Sequence, residues 1–270
     1  MPDDTESPSQ TLAALQRFSL VAGLSPEEIA DIAGQCSILR VPAHRRVFEE
    51  GEYSRGLWII TSGRVRLQHL MADGRQHVVA FRAPTNVLDL SSALDGRPYS
   101  ATATTLEASE IVLVPRELLG NLGQRHPSTV RNAIDLLCLE VRQRDIATAN
   151  AALKDARGRI GCALLQLACQ FGIARGDGIS IDYRLTRQDI ADRVGVTVET
   201  TIRVMSELQQ QGLIRTESQL IDLVDVEQIR DLIGCEDCQF KCSVFGPPQP
   251  LFSTAAVAGT GVQRRTHLDH

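Results

Sequence analysis

The sequence has no long apolar run and no apolar leader, and these absences bear on where the protein works. No apolar stretch approaches the ~18–20 residues that a membrane-spanning helix needs, so we expect no spanning segment and no membrane partner. The N-terminal segment MPDDTESPSQ is acidic and polar, whereas a signal peptide has a basic start followed by an apolar stretch. We therefore expect a cytoplasmic protein.

Aromatic residues and positive charge are also scarce. Aromatic residues make up 4% of the chain, too few to suggest stacking platforms for single-stranded nucleic acid. The formal net charge of −5 excludes a chain that is basic throughout, but it allows the local basic face that duplex DNA requires. The sequence also has no glycine-rich phosphate loop, no nucleophile motif and no paired catalytic carboxylates, so we do not expect an enzyme.

The first half of the chain has the pattern of a β domain. Short runs rich in β-forming residues lie between Ile38 and Val114 and are separated by glycines. Asp73-Gly74 stands between two alternating runs, which is a strong hairpin signal because a tight turn needs positive φ. These features predict an antiparallel sandwich or barrel. The runs expected as strands are Arg46–Phe48, Leu57–Ile60, Val65–His69, His77–Phe81 and Ile111–Val114.

One long helix is expected next, from about Ser128 to Lys154. Its apolar residues recur three or four positions apart in one stripe: Val130, Ile134, Leu137 and Val141. Such a stripe of a and d positions predicts a seam between two copies of the chain, and the alternative is a helix that lies on its own domain. We favour the dimer, because a stripe on a helix between two domains has no other evident partner. A charged hinge at Asp155–Arg159 and a helix at Ile160–Phe171 are expected to follow.

The second half contains the pattern of a helix-turn-helix. Two helices are expected at about Arg187–Val194 and Val198–Gln211, with Thr186 and Thr197 at their N-cap positions. Gly195 between them permits the sharp angle, because glycine tolerates a left-handed conformation. The runs expected to form a two-stranded wing are Ile214 and Leu220–Val224.

The second of these helices carries the residues that we expect to read bases. Glu199 and Arg203 lie four positions apart, so they project from one face. In a major groove arginine pairs with guanine and glutamate accepts from cytosine, whereas the alternative is a solvated ion pair. The base-reading set is Val198, Glu199, Ile202 and Arg203. The set expected to contact phosphates is Thr186, Arg187, Gln188, Thr197 and Thr200.

At this point two segments resemble a known family. RVFEEGEYSRGLWIITSGRVRLQ, followed by ADGRQHVVAF, is similar to the cyclic-nucleotide-binding β-roll. GRIGCALLQLACQ, followed by LTRQDIADRVGVTVETTIRVMSELQQQGLI, resembles the CRP/FNR family of bacterial regulators. Val198 stands where cyclic-AMP receptors carry a base-reading arginine, so the chain resembles the FNR branch more closely.

The resemblance implies an α+β fold with an N-terminal cyclic-nucleotide-binding-type β-roll, a long dimerisation helix and a C-terminal winged helix-turn-helix. It also implies a homodimer that binds a two-fold symmetric site in double-stranded DNA, and we expect RNA polymerase as a further partner. The expected divisions are a disordered N-terminus (1–11), a sensor-type β-roll (12–127), a dimerisation helix (128–155), a winged helix-turn-helix (156–225), a C-terminal helix with a cysteine motif (226–246) and a disordered tail (247–270).

The β-roll is not expected to bind cyclic AMP. In cyclic-AMP receptors a Gly-Glu pair and an Arg-Ser pair hold the ribose and the phosphate. The corresponding pairs here are Asp89-Leu90 and Tyr99-Ser100, so the charge that would face the cyclic phosphate is missing. We therefore expect the roll to serve as a scaffold that transmits a signal.

Three cysteines near the C-terminus form the pattern C-x2-C-x3-C: Cys235, Cys238 and Cys242. Thiolate-only sites suit iron–sulfur clusters or zinc, and a cytoplasmic chain is not expected to use its cysteines for disulfides. We expect an iron–sulfur cluster, of the [4Fe-4S] type, that responds to oxygen, nitric oxide or redox state. The alternatives are zinc, redox-active thiols and no function.

A complete site needs a fourth ligand. On a helix at Ile160–Phe171, Cys162 and Cys169 point away from the apolar stripe and lie nearly above each other. Either one is a candidate for the fourth ligand, and the alternative is that both fill gaps in the core. Cys36 and Cys138 are interpreted as packing residues.

Overall fold

The computed structural model describes Leu12, residues 15–176 and residues 178–234. Within these residues twelve strands form three sheets and eight α-helices surround them. The expected α+β arrangement is confirmed, with a β-rich domain first, a long helix in the middle and a helical domain with a small sheet behind it.

Two four-stranded sheets, whose strands all pair antiparallel, build the β-roll. One sheet has the order β1-β8-β3-β6 and the other has the order β2-β7-β4-β5. The strands are β1 (Ser37–Val41), β2 (Arg46–Phe48), β3 (Gly56–Ser62), β4 (Val65–Leu70), β5 (Gln76–Arg82), β6 (Val87–Leu88), β7 (Thr102–Thr105) and β8 (Ser109–Pro115). An apolar core is buried between the two sheets, where Phe48, Trp58 and Tyr99 form an aromatic cluster.

The Asp73-Gly74 hairpin forms as predicted. Gly74 has a φ of 85°, and the Met71 N–H donates to the Arg75 carbonyl across the turn at 2.9 Å. The strand register pairs His69 with His77 on the two arms. The turn and the strand pairing therefore both define the β4–β5 hairpin.

Short helices close the roll and lead into the long one. They are α1 (Pro26–Ala33), α2 (Leu90–Asp95) and α3 (Arg116–Arg125), and a 3-10 turn (Ser19–Val21) precedes them. Ser25 and Glu28 form a capping box at the start of α1. These helices pack on the outer side of the β1-β8-β3-β6 sheet and form a core with residues of α4.

The long helix α4 spans Pro127–Leu153, and the next helix α5 spans Ala156–Phe171. The expected hinge at Asp155–Arg159 is wrong, because the Asp155 side chain accepts a hydrogen bond from the Gly158 N–H and so starts α5 at once. Only Lys154 and Asp155 separate the two helices. The joint is therefore short and capped.

The predicted seam on α4 is only partly open. Val130, Ile134 and Val141 are 45%, 49% and 56% exposed. Leu137, by contrast, is half-buried against the core of its own roll, and Ala133 is buried in that core. Part of the stripe thus covers its own domain, and the remainder faces outward.

The C-terminal domain surrounds α5. Its elements are β9 (Gly172–Arg175), β10 (Gly178–Ile181), α6 (Arg187–Val194), α7 (Val198–Gln210), β11 (Ile214–Glu217), β12 (Leu220–Leu223) and α8 (Val226–Leu232). The four strands form one antiparallel sheet in the order β11-β12-β10-β9. Both wing strands form, and β9 pairs with β10 in a hairpin ahead of α6. Across the described ranges, no helix combines the length and the apolar character needed to cross a membrane.

Candidate nucleic-acid interface

The helix α6 begins with a capping box. The Thr186 hydroxyl accepts a hydrogen bond from the Asp189 N–H at 3.0 Å, and the Asp189 carboxylate accepts from the Thr186 N–H at 2.9 Å. Gly195, with a φ of 69°, ends the helix and turns the chain toward α7. The left-handed conformation at this position is the one for which the sequence provides a glycine.

The recognition helix α7 begins at its own cap, where Thr197 accepts from the Thr200 N–H at 3.2 Å. One face is buried in the domain core and includes Thr201, Val204, Met205 and Leu208. The opposite face is open: Ile202 is 49% exposed, and Glu199 and Arg203 are exposed. A helix that leaves isoleucine beside arginine in solvent presents a mixed surface suited to base edges and thymine methyl groups.

The ion pair on this helix differs from the expected one. The Arg203 guanidinium lies 3.2 Å from a carboxylate oxygen of Glu207, one turn after it, and not against Glu199. The pKa of Glu199 is lowered by its own backbone N–H and by the Thr197 hydroxyl, both of which stabilise the carboxylate. Glu199 therefore belongs to the first turn of the helix, where negative charge is favourable.

The five residues expected to contact phosphates lie at the starts of α6 and α7. Arg187 donates to the Thr216 hydroxyl of the wing at 3.3 Å, and burial lowers its pKa. Gln188 donates to Asp192 at 2.7 Å, and the hydroxyls of Thr197 and Thr200 share a hydrogen bond of 3.1 Å. The Thr186 hydroxyl donates to Asp189 at 2.6 Å. The structure thus gathers these residues beside two helix N-termini, where backbone N–H groups favour anions.

Two family models match the chain in the same order as its domains. The cyclic nucleotide-binding domain matches residues 38–126, and the Crp-like helix-turn-helix domain matches residues 158–232. The chain belongs to the CRP/FNR family of transcription regulators. It is a DNA-binding regulator and not an enzyme.

Relatives in this family span most of the chain. The CRP-like cAMP-activated global transcriptional regulator of Mycobacterium tuberculosis is 28% identical over 215 residues, which are 80% of this chain and 96% of the relative. The transcriptional activator protein anr of Pseudomonas aeruginosa is 25% identical over 188 residues, 70% of this chain and 77% of the relative. The structure of FixK2 from Bradyrhizobium japonicum matches with a TM-score of 0.66 at 22% identity and covers 73% of this chain and 96% of that one.

The helix-turn-helix of this CRP/FNR protein is docked on its own β-roll. Arg193 of α6 donates to the Val79 carbonyl of β5 at 2.8 Å, and His77 Nδ1 lies 3.1 Å from the Asp192 carbonyl. Arg66 of β4 pairs with Asp189 at 3.2 Å. Phe81 of β5 packs into the core of the winged domain. No sequence signal pointed to this interface, because each contact joins residues more than a hundred positions apart.

A cavity of about 300 Å³ lies where the roll, α4 and the winged domain meet. Three arginines line it, Arg82, Arg144 and Arg193. Arg82 is buried and bonded at 3.1 Å to Glu140 of α4. Burial and the neighbouring Arg82 lower the pKa of Arg193 to about 10. The sequence around Tyr99 gives no signal of these arginines, because they lie on β5, α4 and α6, far from it along the chain.

Asp89, at the head of this cavity, is fully engaged with its own chain. It is buried, and its carboxylate accepts hydrogen bonds from the Ser100 N–H at 2.7 Å and the Ser91 hydroxyl at 2.9 Å. The Ser100 hydroxyl and the Ser92 N–H donate to it as well, at 3.2 and 3.3 Å. Tyr99 does not enter the cavity; it lies in the roll core and its hydroxyl accepts from Trp58 Nε1 at 2.8 Å.

The seven cysteines lie in different parts of the chain. Cys235, Cys238 and Cys242 lie outside the described residues. Cys169 is exposed, but Cys162 is buried in the winged-domain core, so its expected outward direction is wrong. The reason is that α5 contacts other elements nearly all around its circumference, which covers the back of the helix as well as the apolar stripe.

The remaining cysteines are half-buried. Cys36 donates to the Ile32 carbonyl, and burial raises the pKa of its thiol to about 12. Among the residues that the structure describes, no three histidine, cysteine or acidic side chains are grouped as a metal site.

The chain enters the cysteine segment at a fixed point beside the α4–α5 joint. Ile233 is 7% exposed and packs on Gly161 of α5, where a Cβ atom would lie 2.5 Å from Ile233 Cγ2. Lys154, at the joint itself, donates to the Ile233 carbonyl at 2.6 Å. The cysteine segment therefore starts next to the connection between the long helix and the DNA-binding domain.

Proposed function

We propose that the protein is a homodimeric, sequence-specific regulator that reads a two-fold symmetric DNA site. The observation that carries this proposal is the open face of α7, which presents Ile202 and Arg203 to solvent between a buried face and a formed wing. Val198 and Glu199 complete the base-reading set, and the phosphate-contacting set is the one at the starts of α6 and α7. RNA polymerase is the further partner that such a role requires, and the cytoplasm is where both partners are found.

The dimer is proposed to form along the exposed part of α4. Val130, Ile134 and Val141 are apolar residues spaced along one helix, and their exposure leaves a stripe for a second copy. A two-fold pair of recognition helices then predicts half-sites about one helical turn apart, roughly 34–36 Å.

The signal is proposed to be read by an iron–sulfur cluster held by Cys235, Cys238 and Cys242. The donor set supports this: three thiols within one short segment match the thiolate ligands that these clusters use. For the fourth ligand we propose Cys169, because its side chain is at the surface, whereas Cys162 would have to leave the core. When bound, such a cluster supplies sensitivity to oxygen, nitric oxide or redox state.

The anchored residue Ile233 gives this segment a route to the DNA-binding domain. Binding or loss of a cluster would change the restraint on the cysteines that follow Gly234 in the sequence. Because Ile233 is fixed to Gly161 and Lys154, that change acts at the α4–α5 joint, which orients the two recognition helices of a dimer.

The test is purification without oxygen, followed by assays for iron and acid-labile sulfide and by visible absorption. We expect iron and sulfide together with a broad charge-transfer band. Serine in place of any of the three clustered cysteines should remove the band and the redox dependence of DNA binding together. Cys36→Ser and Cys138→Ser are the matched controls and should retain both. Purified protein that contains zinc but no iron would support a zinc-stabilised regulator instead of a cluster protein. Purified protein that contains neither metal would support a regulator with redox-active thiols.

A second candidate function is that of a regulator whose DNA binding is controlled by a small ligand bound in the β-roll. The cavity lined by Arg82, Arg144 and Arg193 favours it, because guanidinium groups attract anions. Cyclic AMP, the activator named for the Mycobacterium relative, is not the ligand that we expect, because the Asp89 carboxylate occupies the donors at the head of the cavity. Calorimetric titration with cyclic AMP should give no saturable heat, and a saturable titration would reverse this expectation.

A further inference from the structure

The β4–β5 hairpin reaches from the roll to the start of the recognition helix. A cleft of about 950 Å³ separates the two, and it is lined on one side by residues 71–77 and on the other by the α6–α7 turn and the first residue of α7. Gln188 and Thr197, both in the phosphate-contacting set, belong to the second wall. The cleft is therefore continuous with the surface over which the DNA backbone is proposed to run.

Arg75 is the cation at the tip of this hairpin. Its side chain is 78% exposed, and its guanidinium pairs with Asp73 at 2.8 Å. The other charges facing the cleft are already engaged: Arg66 with Asp189, and Asp192 with the Gln188 amide. His77 contacts the Asp192 carbonyl. Arg75 is thus the cation of the first wall that is both exposed and able to exchange its partner.

The hairpin is held where it is by contacts behind the tip. Arg193 donates to carbonyl groups of β5, and Gln170 donates to the Phe81 carbonyl at 3.2 Å. These bonds join the hairpin to the winged domain, so the tip keeps its position when the domain approaches DNA. A preorganised arginine loses less conformational freedom on binding a phosphate than one on a free loop does.

We propose that Arg75 contacts the DNA backbone beside the start of the recognition helix, so that the β-roll forms part of the DNA-binding surface. The cleft is large enough to admit one edge of a backbone, since cavities of this size hold whole small ligands. On contact a phosphate replaces Asp73 as the partner of Arg75. The proposal rests on the assignment of the α6 and α7 N-termini to the DNA backbone.

A consequence is that DNA strengthens the docking of the winged domain on the roll. A ligand that touches both sides of an interface binds the docked arrangement better than the separated one. Amide hydrogen exchange in β5 should therefore slow when duplex DNA is added.

The chain provides a matched control for the test. Asp73-Gly74-Arg75 is repeated as Asp95-Gly96-Arg97 after α2. In both turns the arginine N–H donates to the aspartate, at 3.0 and 2.9 Å, and the guanidinium pairs with the same carboxylate. Arg97 is 84% exposed, but its turn lies beside Arg116 and it does not line the cleft. The two arginines differ mainly in location.

The experiment measures how the affinity for a mixed-sequence duplex depends on salt concentration, by fluorescence anisotropy, for the parent protein, Arg75→Ala, Arg75→Lys and Arg97→Ala. Each phosphate contact contributes about 0.9 to the slope of log K against log salt. We expect Arg75→Ala to lower the slope by about 0.9 for each bound protomer, and Arg75→Lys and Arg97→Ala to leave it unchanged. The Met71–Arg75 backbone bond does not involve the side chain, so the hairpin should remain folded in all variants.

Two results would overturn the proposal. Equal slopes for Arg75→Ala and Arg97→Ala would show that the tip does not touch DNA. Tighter binding by Arg75→Ala would show that the hairpin obstructs the recognition helix. Failure of the parent protein to bind duplex DNA would refute the proposed function instead, so the two failures are distinguishable.

Discussion

Asp189 connects the DNA-binding helices to the rest of the molecule. It caps α6 through Thr186 and receives the Arg66 guanidinium from the roll, and it is buried while doing so. Removing one member of a buried ion pair typically costs about 3–5 kcal/mol, and the 21% exposure of Arg66 reduces that figure here. A single carboxylate thus stabilises both the start of the helix-turn-helix and its attachment to the β-roll.

At the same scale, Arg203 and Arg187 are expected to behave differently. Arg203→Ala should cost about 1–3 kcal/mol at one base pair and relax the preference there, because a bidentate contact to guanine is lost. Arg187→Ala should weaken binding to all DNA sequences equally and lower the salt dependence of the DNA affinity. The measurement is anisotropy on a site selected by the protein from a randomised pool and on its single-base variants.

Glu207→Gln is the control for Arg203. It removes the ion pair seen on α7 but leaves the arginine, so base preference should persist. If Arg203→Ala weakened every sequence to the same extent, Arg203 would be a backbone contact and not a reader.

Some residue roles could be predicted from sequence and others could not. The caps Thr186 and Thr197 follow from local rules, because a capping side chain bonds within its own turn. The partner of Arg203 does not, because carboxylates stand four residues before and four residues after it. The Thr197 cap and the backbone stabilise Glu199 at the first turn, and Glu207 pairs with the arginine.

The helix α4 carries two exposed apolar side chains, Ile134 and Val141, on its outer face. Within the described part of the chain no other element covers them. Ile134→Asp combined with Val141→Asp should convert the dimer to monomer, because each charge would be buried in an apolar seam without a partner. Light scattering measures the mass, and Ile134→Leu should remain dimeric. A persistent dimer in the double variant would place the interface elsewhere. Leu137 is unsuitable for this test, since it also packs on its own roll.

The contact between α8 and α5 offers a second test at this scale. Gly161→Ala should favour the helix α5 itself by up to about 1 kcal/mol, but the added Cβ would displace Ile233. We expect faster tryptic cleavage at Arg230 and a loss of the coupling between metal state and DNA affinity. Gly120→Ala on α3, where a Cβ meets open space, should change neither. An unchanged cleavage rate in Gly161→Ala would show that Ile233 does not hold the segment.

Elements flanked by clear turn or cap residues were predictable, whereas some other elements were not. The boundaries of β2 and α6 agree with the sequence pattern, since both are flanked by clear turn or cap residues. The strands β1, β6 and β7 and the helices α2 and α3 were not predicted from the sequence. Cys162 was misplaced because a helical wheel shows one apolar stripe, while α5 is covered by neighbours on several sides.

For the whole molecule, docking of the two domains should depend on pH through His77. Burial, and next the Arg193 charge, lower the pKa of His77 from its usual 6.5. His69, opposite it on β4, acts in the same direction, while Asp192 opposes it. The docked state therefore favours the neutral ring. Its contribution to docking is complete above about pH 6.5 and is lost as the pH falls from there through the lowered value.

Energy transfer between probes at Asp73 and Ser206 would measure this docking. We expect the signal to fall on acidification in the parent protein and to stay constant over the same range in His77→Gln, which keeps a polar group but does not titrate. The same pH dependence in both proteins would assign the effect to another group. The order of the domains could be read from the sequence, but this interface could not, because it depends on contacts between distant residues.

The carboxylate of Asp89 has a further consequence for the β-roll as a receptor. Because it is tethered to the roll, it competes with any free anion at a local concentration that dilution does not change. A ligand that binds at this end of the cavity must displace the Asp89 carboxylate, which is covalently attached to the roll. It must also offset the free energy lost when that carboxylate is left buried without its hydrogen bonds. The roll should accordingly keep the same conformation at all cellular nucleotide levels, like a receptor whose binding site is always occupied.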